Sequence, residues 1–299
     1  MFGFFSKKVK GAQFLEGATD IHCHLLAGVD DGMSTLEEGF ELLAYEQNVG
    51  LKRVYLTPHS MGLEGAVVDK EGMGEPKRPR RKSPAGNISE EDSEGSSSVA
   101  LLRKHEKEYL LSAKESPYAS EPEGGFSNAH LKERFEQYVK YYTGDLEIRL
   151  AAEYMMNKEL LAKVQAKDLL TYSDGVHVLV ETSYFAPPVE MTEILYSLAI
   201  NGYKPIIAHP ERYRYMSRRD YRKLKDTGYE FQLNYLSLTG YYGEDVLERA
   251  LDLLDSGLYD FTGSDYHRLS TFHHGLKHLH LKGKRADALM RLFANNNTI

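Results

Sequence analysis

The feature that most constrains this chain is a repeat: a short apolar run followed by a stretch of helical periodicity, many times over. Apolar runs lie at 19–24, 53–59, 148–154, 176–183, 204–209, 230–235 and 259–265. Helical patterns lie at 34–49, 130–142, 157–165, 187–200, 218–225, 243–254 and 283–294. The first of these opens on a capping box from Ser34 to Glu37. The stretch beginning at Pro187 has proline in its first turn and ends on Asn201 and Gly202. Repeated strand–helix units predict a parallel sheet with helices outside. A closed barrel and an open doubly wound sheet give much the same pattern. No glycine-rich phosphate loop opens a helix, which weakens the nucleotide-binding version.

The chain has 299 residues, 41% of them hydrophobic, enough for a sizeable core. No run approaches the roughly 18 apolar residues of a membrane span, so no transmembrane segment is expected. A single cysteine, Cys23, excludes an intramolecular disulfide and fits a reducing, cytoplasmic location. The formal charge of −7 argues against general nucleic-acid affinity. At the start, Phe2, Phe4 and Phe5 stand beside Lys7, Lys8 and Lys10. That stretch is too short for a signal peptide. A frayed or docked terminus is the expectation, and peripheral contact with an anionic membrane the alternative.

One segment breaks the pattern. Residues 63–125 are rich in Ser, Gly, Pro and charge, with a basic run at 77–82 and an acidic one at 90–94. Such a stretch buries too little apolar surface to offset its ordering entropy. It is expected to be a largely disordered insertion with a short helix near 100–111, dispensable for the fold around it. What remains is close to the roughly 250 residues usual for one α/β barrel.

Polar, metal-competent residues gather at the predicted strand ends. Strand one carries D-I-H-C-H, with Asp20, His22 and His24, then V-D-D-G with Asp31. Strand two ends T-P-H at His59, strand three carries Glu153 in A-E-Y, and strand four Glu181 in E-T-S. Strand five ends A-H-P-E-R-Y with His209 and Arg212, and the last strand ends G-S-D-Y-H with Asp265 and His267. Barrel active sites lie at this C-terminal face. Residues i and i+2 of a strand share a face, so His22 and His24 point together, as do Asp265 and His267. The donors are nitrogen and oxygen only, which favours Mn, Fe, Zn or Mg.

Together these motifs resemble the polymerase-and-histidinol-phosphatase (PHP) superfamily, and within it the bacterial metal-dependent protein-tyrosine phosphatases of capsule and exopolysaccharide production. The resemblance runs from about Asp20 to the C-terminus and skips the insertion. It implies a single domain, a distorted (β/α)7 barrel, with three divalent ions, usually manganese. It also implies the ligand sets. His22, His24, Glu153 and Asp265 would hold one ion; Glu153, Glu181 and His209 a second; Asp31, His59 and His267 a third. Three such ions against four carboxylates leave a net charge of about +2, which attracts a phosphate ester. Arg212 would grip phosphate as a bidentate fork, with Arg268 a candidate second arginine. A metal, or a protonated neighbour such as Asp31 or His59, would assist the leaving group. The implied substrate is a tyrosine-phosphorylated protein, such as a bacterial tyrosine kinase of polysaccharide export. The alternatives are a small ester such as histidinol phosphate, and a non-catalytic member that docks a partner.

Other residues have plainer readings. Cys23 lacks the C-x5-R pattern of cysteine phosphatases, since Val29 stands where arginine is needed; it is expected to pack behind its strand. His273, His274, His278 and His280 are expected to form a surface face. The pairs Tyr141-Tyr142 and Tyr241-Tyr242 are expected in half-buried packing. Asn234 would support the site or cap its strand.

Overall fold

The computed structural model describes residues 15–60, 95–115 and 127–299. In chain order the elements are β1 (Thr19–Cys23), α1 (Leu36–Asn48), β2 (Arg53–Leu56), α2 (Gly95–Glu115), α3 (Asn128–Tyr141), β3 (Glu147–Leu150), β4 (Glu153–Met155), α4 (Lys158–Ala166) and β5 (His177–Glu181). Then come α5 (Met191–Ile200), β6 (Lys204–Ala208), α6 (Arg218–Asp226), β7 (Glu230–Asn234), α7 (Glu244–Asp255), β8 (Phe261–Gly263), α8 (Leu269–His278) and α9 (Lys284–Asn296). Every paired strand is parallel, as the repeat predicts. The order is β1-β2-β3 in one sheet and β4-β5-β6-β7-β8 in the other. The expected third strand is therefore two, broken at Ala151 and Ala152. Single bridges join Cys23 to Tyr266 and His59 to Glu153 across the two gaps.

Strand alternation sorts the core into two bodies. The larger includes Val54, Leu131, Val180, Ile207 and Phe231, where strands meet helices. The smaller is Ile21, Tyr55, Ala151, Tyr172, Leu179, Ile206, Ala208 and Phe261, joined by Ile299. In β1 the register steps from Asp20 opposite Val54 to Cys23 opposite Leu56, three residues against two. This bulge re-aims the strand. Asp20 Oδ1 accepts the amides of His22 and Ser264, both at 3.1 Å. Cys23 is fully buried in the larger core, as expected of a packing residue.

Four local expectations are corrected. The α1 cap is Thr35, whose hydroxyl accepts from Glu38 N at 3.2 Å, while Glu38 Oε2 accepts from Ser34 N at 3.3 Å; the box sits one residue later than read. Helix α5 starts at Met191, whose amide bonds to Pro188 O, so the prolines form the turn before it. Helix α8 was not foreseen, because Gly275 and four histidines within and just after it blur its apolar period. Helix α2 is longer than the 100–111 expected, and it is docked. Its Tyr109 is 1% exposed, donates to Ala27 O at 2.8 Å and lies 3.5 Å beneath the Arg134 guanidinium. Its Glu106 Oε2 accepts from Leu36 N at 2.8 Å. The expectations for 1–10 and for the rest of 63–125 lie mostly outside the described residues. Among the described residues no helix is long and apolar enough to cross a membrane.

Candidate metal centre

All nine residues singled out at strand ends come together in the fold. Their donor atoms form three groups within 4.8 Å: His24, Asp31, His59 and His267; His22, Glu153, His209 and Asp265; and His59, Glu153 and Glu181. His22 Nε2 and His24 Nε2 each also lie 3.3–3.4 Å from Glu153 Oε2 and Asp265 Oδ1, so His24 stands between two of these groups, and His59 is common to two. Glu153 lies at the centre. Its Oε2 is 3.3 Å from His22 Nε2, 3.4 Å from His24 Nε2 and 3.3 Å from His59 Nδ1, and its Oε1 is 3.1 Å from His209 Nε2.

The donor set fits divalent ions. His22 Nε2 and His24 Nε2 face each other at 3.2 Å, two nitrogens that both offer lone pairs when the imidazoles are neutral. His59 Nδ1, His209 Nδ1 and His267 Nε2 are buried and make no hydrogen bond among the described residues. Far ring nitrogens are held from behind, as in metal-binding histidines. His22 Nδ1 meets Gln232 Oε1 at 3.0 Å, His24 Nδ1 meets Asp30 Oδ2 at 2.7 Å, and His267 Nδ1 meets Asp265 O at 3.0 Å. Electrostatics agree. Burial, then the charges of Glu153 and Asp265, push the Glu181 carboxyl well above its usual range. Burial would also raise Glu153 and Asp265, but His22 and the neighbouring imidazoles, with Arg212 beside Asp265, hold both well below. Carboxylates this crowded call for positive charge.

Arg212 stands at the rim, 10% exposed. Its Nη1 donates to Asp265 Oδ2 at 2.7 Å. Its guanidinium lies between the rings of Tyr184 and Tyr242, 4.4 and 4.3 Å from their centres. Asn234 takes the supporting role foreseen for it, donating to Asp265 Oδ2 at 2.9 Å and to Tyr242 Oη at 3.1 Å. Arg268 stands at the N-cap position of α8, with no capping hydrogen bond from its side chain. Asp31, His267 and His59 are the more exposed of the nine, at 41%, 19% and 14%.

Sequence reasoning passed over three supports. Asp30 holds His24 and also accepts from His59 N at 3.1 Å; its signal was the doubled aspartate of V-D-D-G. Gln232 stands two residues before Asn234 on β7, on the same face. Glu211 accepts from Asn234 N, Ser237 Oγ and Tyr259 Oη at 3.0, 2.8 and 3.0 Å, and burial pushes its carboxyl up to about 7. It ties the β6 exit to the β7 exit and so fixes the turn bearing Arg212.

A parallel α/β scaffold that closes nitrogen and oxygen donors around a shared glutamate defines a candidate metal centre. The chain belongs to the capsular polysaccharide synthesis family CpsB/CapC, whose family model matches residues 18–78 and 91–297. It is 25% identical over 259 residues to the tyrosine-protein phosphatase CpsB of Streptococcus pneumoniae, spanning 84% of each chain. It is 23% identical over 257 residues to the tyrosine-protein phosphatase YwqE of Bacillus subtilis, spanning 84% of this chain and 78% of that one. Its fold matches the solved structures of YwqE and CpsB, described as unique metal-dependent tyrosine phosphatases, with a TM-score of 0.61 at 20% identity. That match covers 92% of this chain and 85% of the other.

Proposed function

We propose that this protein is a metal-dependent protein-tyrosine phosphatase of capsular polysaccharide synthesis, acting on a tyrosine kinase of polysaccharide export. The observation that carries the reading is the convergence of nine donors around Glu153, with Arg212 at their edge. Three divalent ions, manganese by preference, suit the three donor groups. The bridges at Cys23–Tyr266 and His59–Glu153 support reading the two sheets as one distorted (β/α)7 barrel of the PHP type, a single domain over 1–299 with 63–125 as its insertion.

Bound ions would supply a nucleophile at neutral pH and charge stabilisation for the phosphoryl oxygens. The chain's own residues do the rest. Glu153 would be shared between ions, and His22, His24, Asp31, His59, Glu181, His209, Asp265 and His267 would complete the ligand sets. Arg212, its plane fixed by Tyr184 and Tyr242, binds two non-bridging phosphate oxygens and stabilises their charge as the ester bond breaks. Asp31 and His59 are both partly exposed, and we assign one of them to protonate the leaving oxygen.

The test is phosphate release from a phosphotyrosine peptide, a phosphoserine peptide and histidinol phosphate, side by side. The protein is stripped and reloaded with Mn, Mg or Zn, with His22→Ala as blank. Manganese-dependent preference for phosphotyrosine is expected. Preference for histidinol phosphate would move the chain to small-ester chemistry. Asp265→Ala should abolish turnover with the fold intact, and retained activity there and in His22→Ala would sink the metal mechanism. Arg212→Ala should lower kcat/KM by about 2–4 kcal/mol of transition-state stabilisation.

A further inference from the structure

Beside Arg212 lies a second arginine that the proposed chemistry does not use. Arg214 is exposed, and its guanidinium sits 5.1 Å from the ring centre of Phe185, itself 56% exposed. The two arginines form a ladder, with Arg212 against Tyr184 inside and Arg214 against Phe185 outside. The rungs are tied together by hydrogen bonds and a ring stack. Arg214 N donates to Tyr184 O at 2.8 Å, Tyr213 Oη accepts from Thr182 N at 3.1 Å, and Thr182 Oγ1 meets Tyr215 Oη at 2.6 Å. The rings of Tyr213 and Tyr215 stack with centres 5.8 Å apart.

Unlike Arg218, which pairs with Asp252, Arg214 makes no ion pair among the described residues. The chain is acidic overall, yet this edge continues into the basic helix α6, with Arg218, Arg219 and Arg222 exposed. An exposed aromatic ring under a guanidinium with no ion pair among the described residues presents a planar cationic fork on an apolar platform, suited to a carboxylate on an extended peptide. The Cα atoms of Arg212 and Arg214 are two residues of chain apart, about 7 Å at most. A peptide whose phosphotyrosine reaches Arg212 would pass its flanking residues along the Phe185 and Arg214 edge, since the two arginines lie against the adjacent residues Tyr184 and Phe185.

We infer that Arg214 and Phe185 form a specificity step that selects acidic residues flanking the phosphotyrosine. This rests on the phosphatase reading above and names the substrate class within it. The test uses the full-length protein and two fluorescent phosphotyrosine peptides, identical except for Glu or Lys at the three positions on each side. Wild type should favour the Glu peptide by about fivefold in kcat/KM, through KM, the scale of one screened ion pair. Each form's rate on free phosphotyrosine is the normaliser. Arg214→Glu should reverse the preference, Arg214→Lys should keep part of it, and Phe185→Ala should weaken it. Equal turnover of both peptides by wild type, or an unchanged preference in Arg214→Glu, overturns the proposal. Peptide binding by fluorescence anisotropy is read in parallel. If free phosphotyrosine is not hydrolysed, the phosphatase reading fails, and the binding ratio still decides whether this edge selects acidic chains.

Discussion

At the scale of single residues, the site is held by close approach and by unusual backbone. His209 and Asp265 adopt left-handed φ values of 32° and 53°, rare for residues with a Cβ and costing about 1–3 kcal/mol each. Both sit at strand exits, where Asp265 N is caught by His22 O at 2.7 Å. Gly263 shows why no side chain is tolerated nearby: a Cβ there would lie 2.6 Å from His22 Cβ. Gly263→Ala should lower metal content with the far-UV spectrum unchanged, and full metal occupancy in that variant would remove Gly263 from the argument. Asp30→Asn should weaken metal affinity about 10–100-fold, the usual cost of losing the carboxylate behind a ligating histidine. Calorimetric titration checks this, and unchanged affinity would make Asp30 a bystander. All nine donors were legible in the sequence because strand ends concentrate them. Asp30 was not, since adjacent residues of V-D-D-G look alike until the loop decides which carboxylate turns inward. That loop buries the Asp30 carboxylate and leaves Asp31 41% exposed.

At the scale of elements, α2 is the largest departure from expectation. Composition made the whole 63–125 stretch look dispensable, yet Tyr109 and Glu106 grip the loop that carries Asp30 and Asp31 and the start of α1. Tyr109→Ala should cost about 3 kcal/mol, the scale for emptying a buried aromatic site, and Tyr109→Phe about 1 kcal/mol for the lost hydrogen bond. Deleting 63–125 should therefore lower the thermal midpoint. An unchanged midpoint would show α2 to be a passenger. The small errors elsewhere have local causes. Ser34 and Thr35 both suit a cap, and only the loop geometry picks the second. The prolines before α5 fit a first helical turn as well as the turn preceding it.

At the scale of the molecule, the parallel αβ architecture was legible from periodicity, but the break between sheets was not, because Ala151 and Ala152 carry no pattern. Far from the candidate metal centre, at the opposite strand ends, His177 lies between Asp174 and Glu230, with Nε2 2.9 Å from Glu230 Oε2. Burial pushes the imidazole down, but the two carboxylates outweigh it and raise its pKa above the ordinary value. A raised histidine stabilises fully below its unfolded pKa of about 6.5, and that contribution fades as pH rises through the folded value. Denaturant unfolding should show His177→Asn destabilised at pH 6 and much less so at pH 9. A pH-independent loss would mean the contact is packing alone. The placement of the donors has a broader consequence. Each of the three donor groups draws from both sheets: His22, His24, Asp31 and His59 belong to the β1–β3 side, and Glu153, Glu181, His209, Asp265 and His267 to the β4–β8 side. The seams crossed by single backbone bridges are the places where these side chains meet. Ions seated there would rivet one half of the molecule to the other, so the catalytic load would double as a mechanical fastening. An ion at a hundred times its dissociation constant would add about 2.7 kcal/mol to the folded state, and a chelator would loosen the two halves along the line where substrate binds.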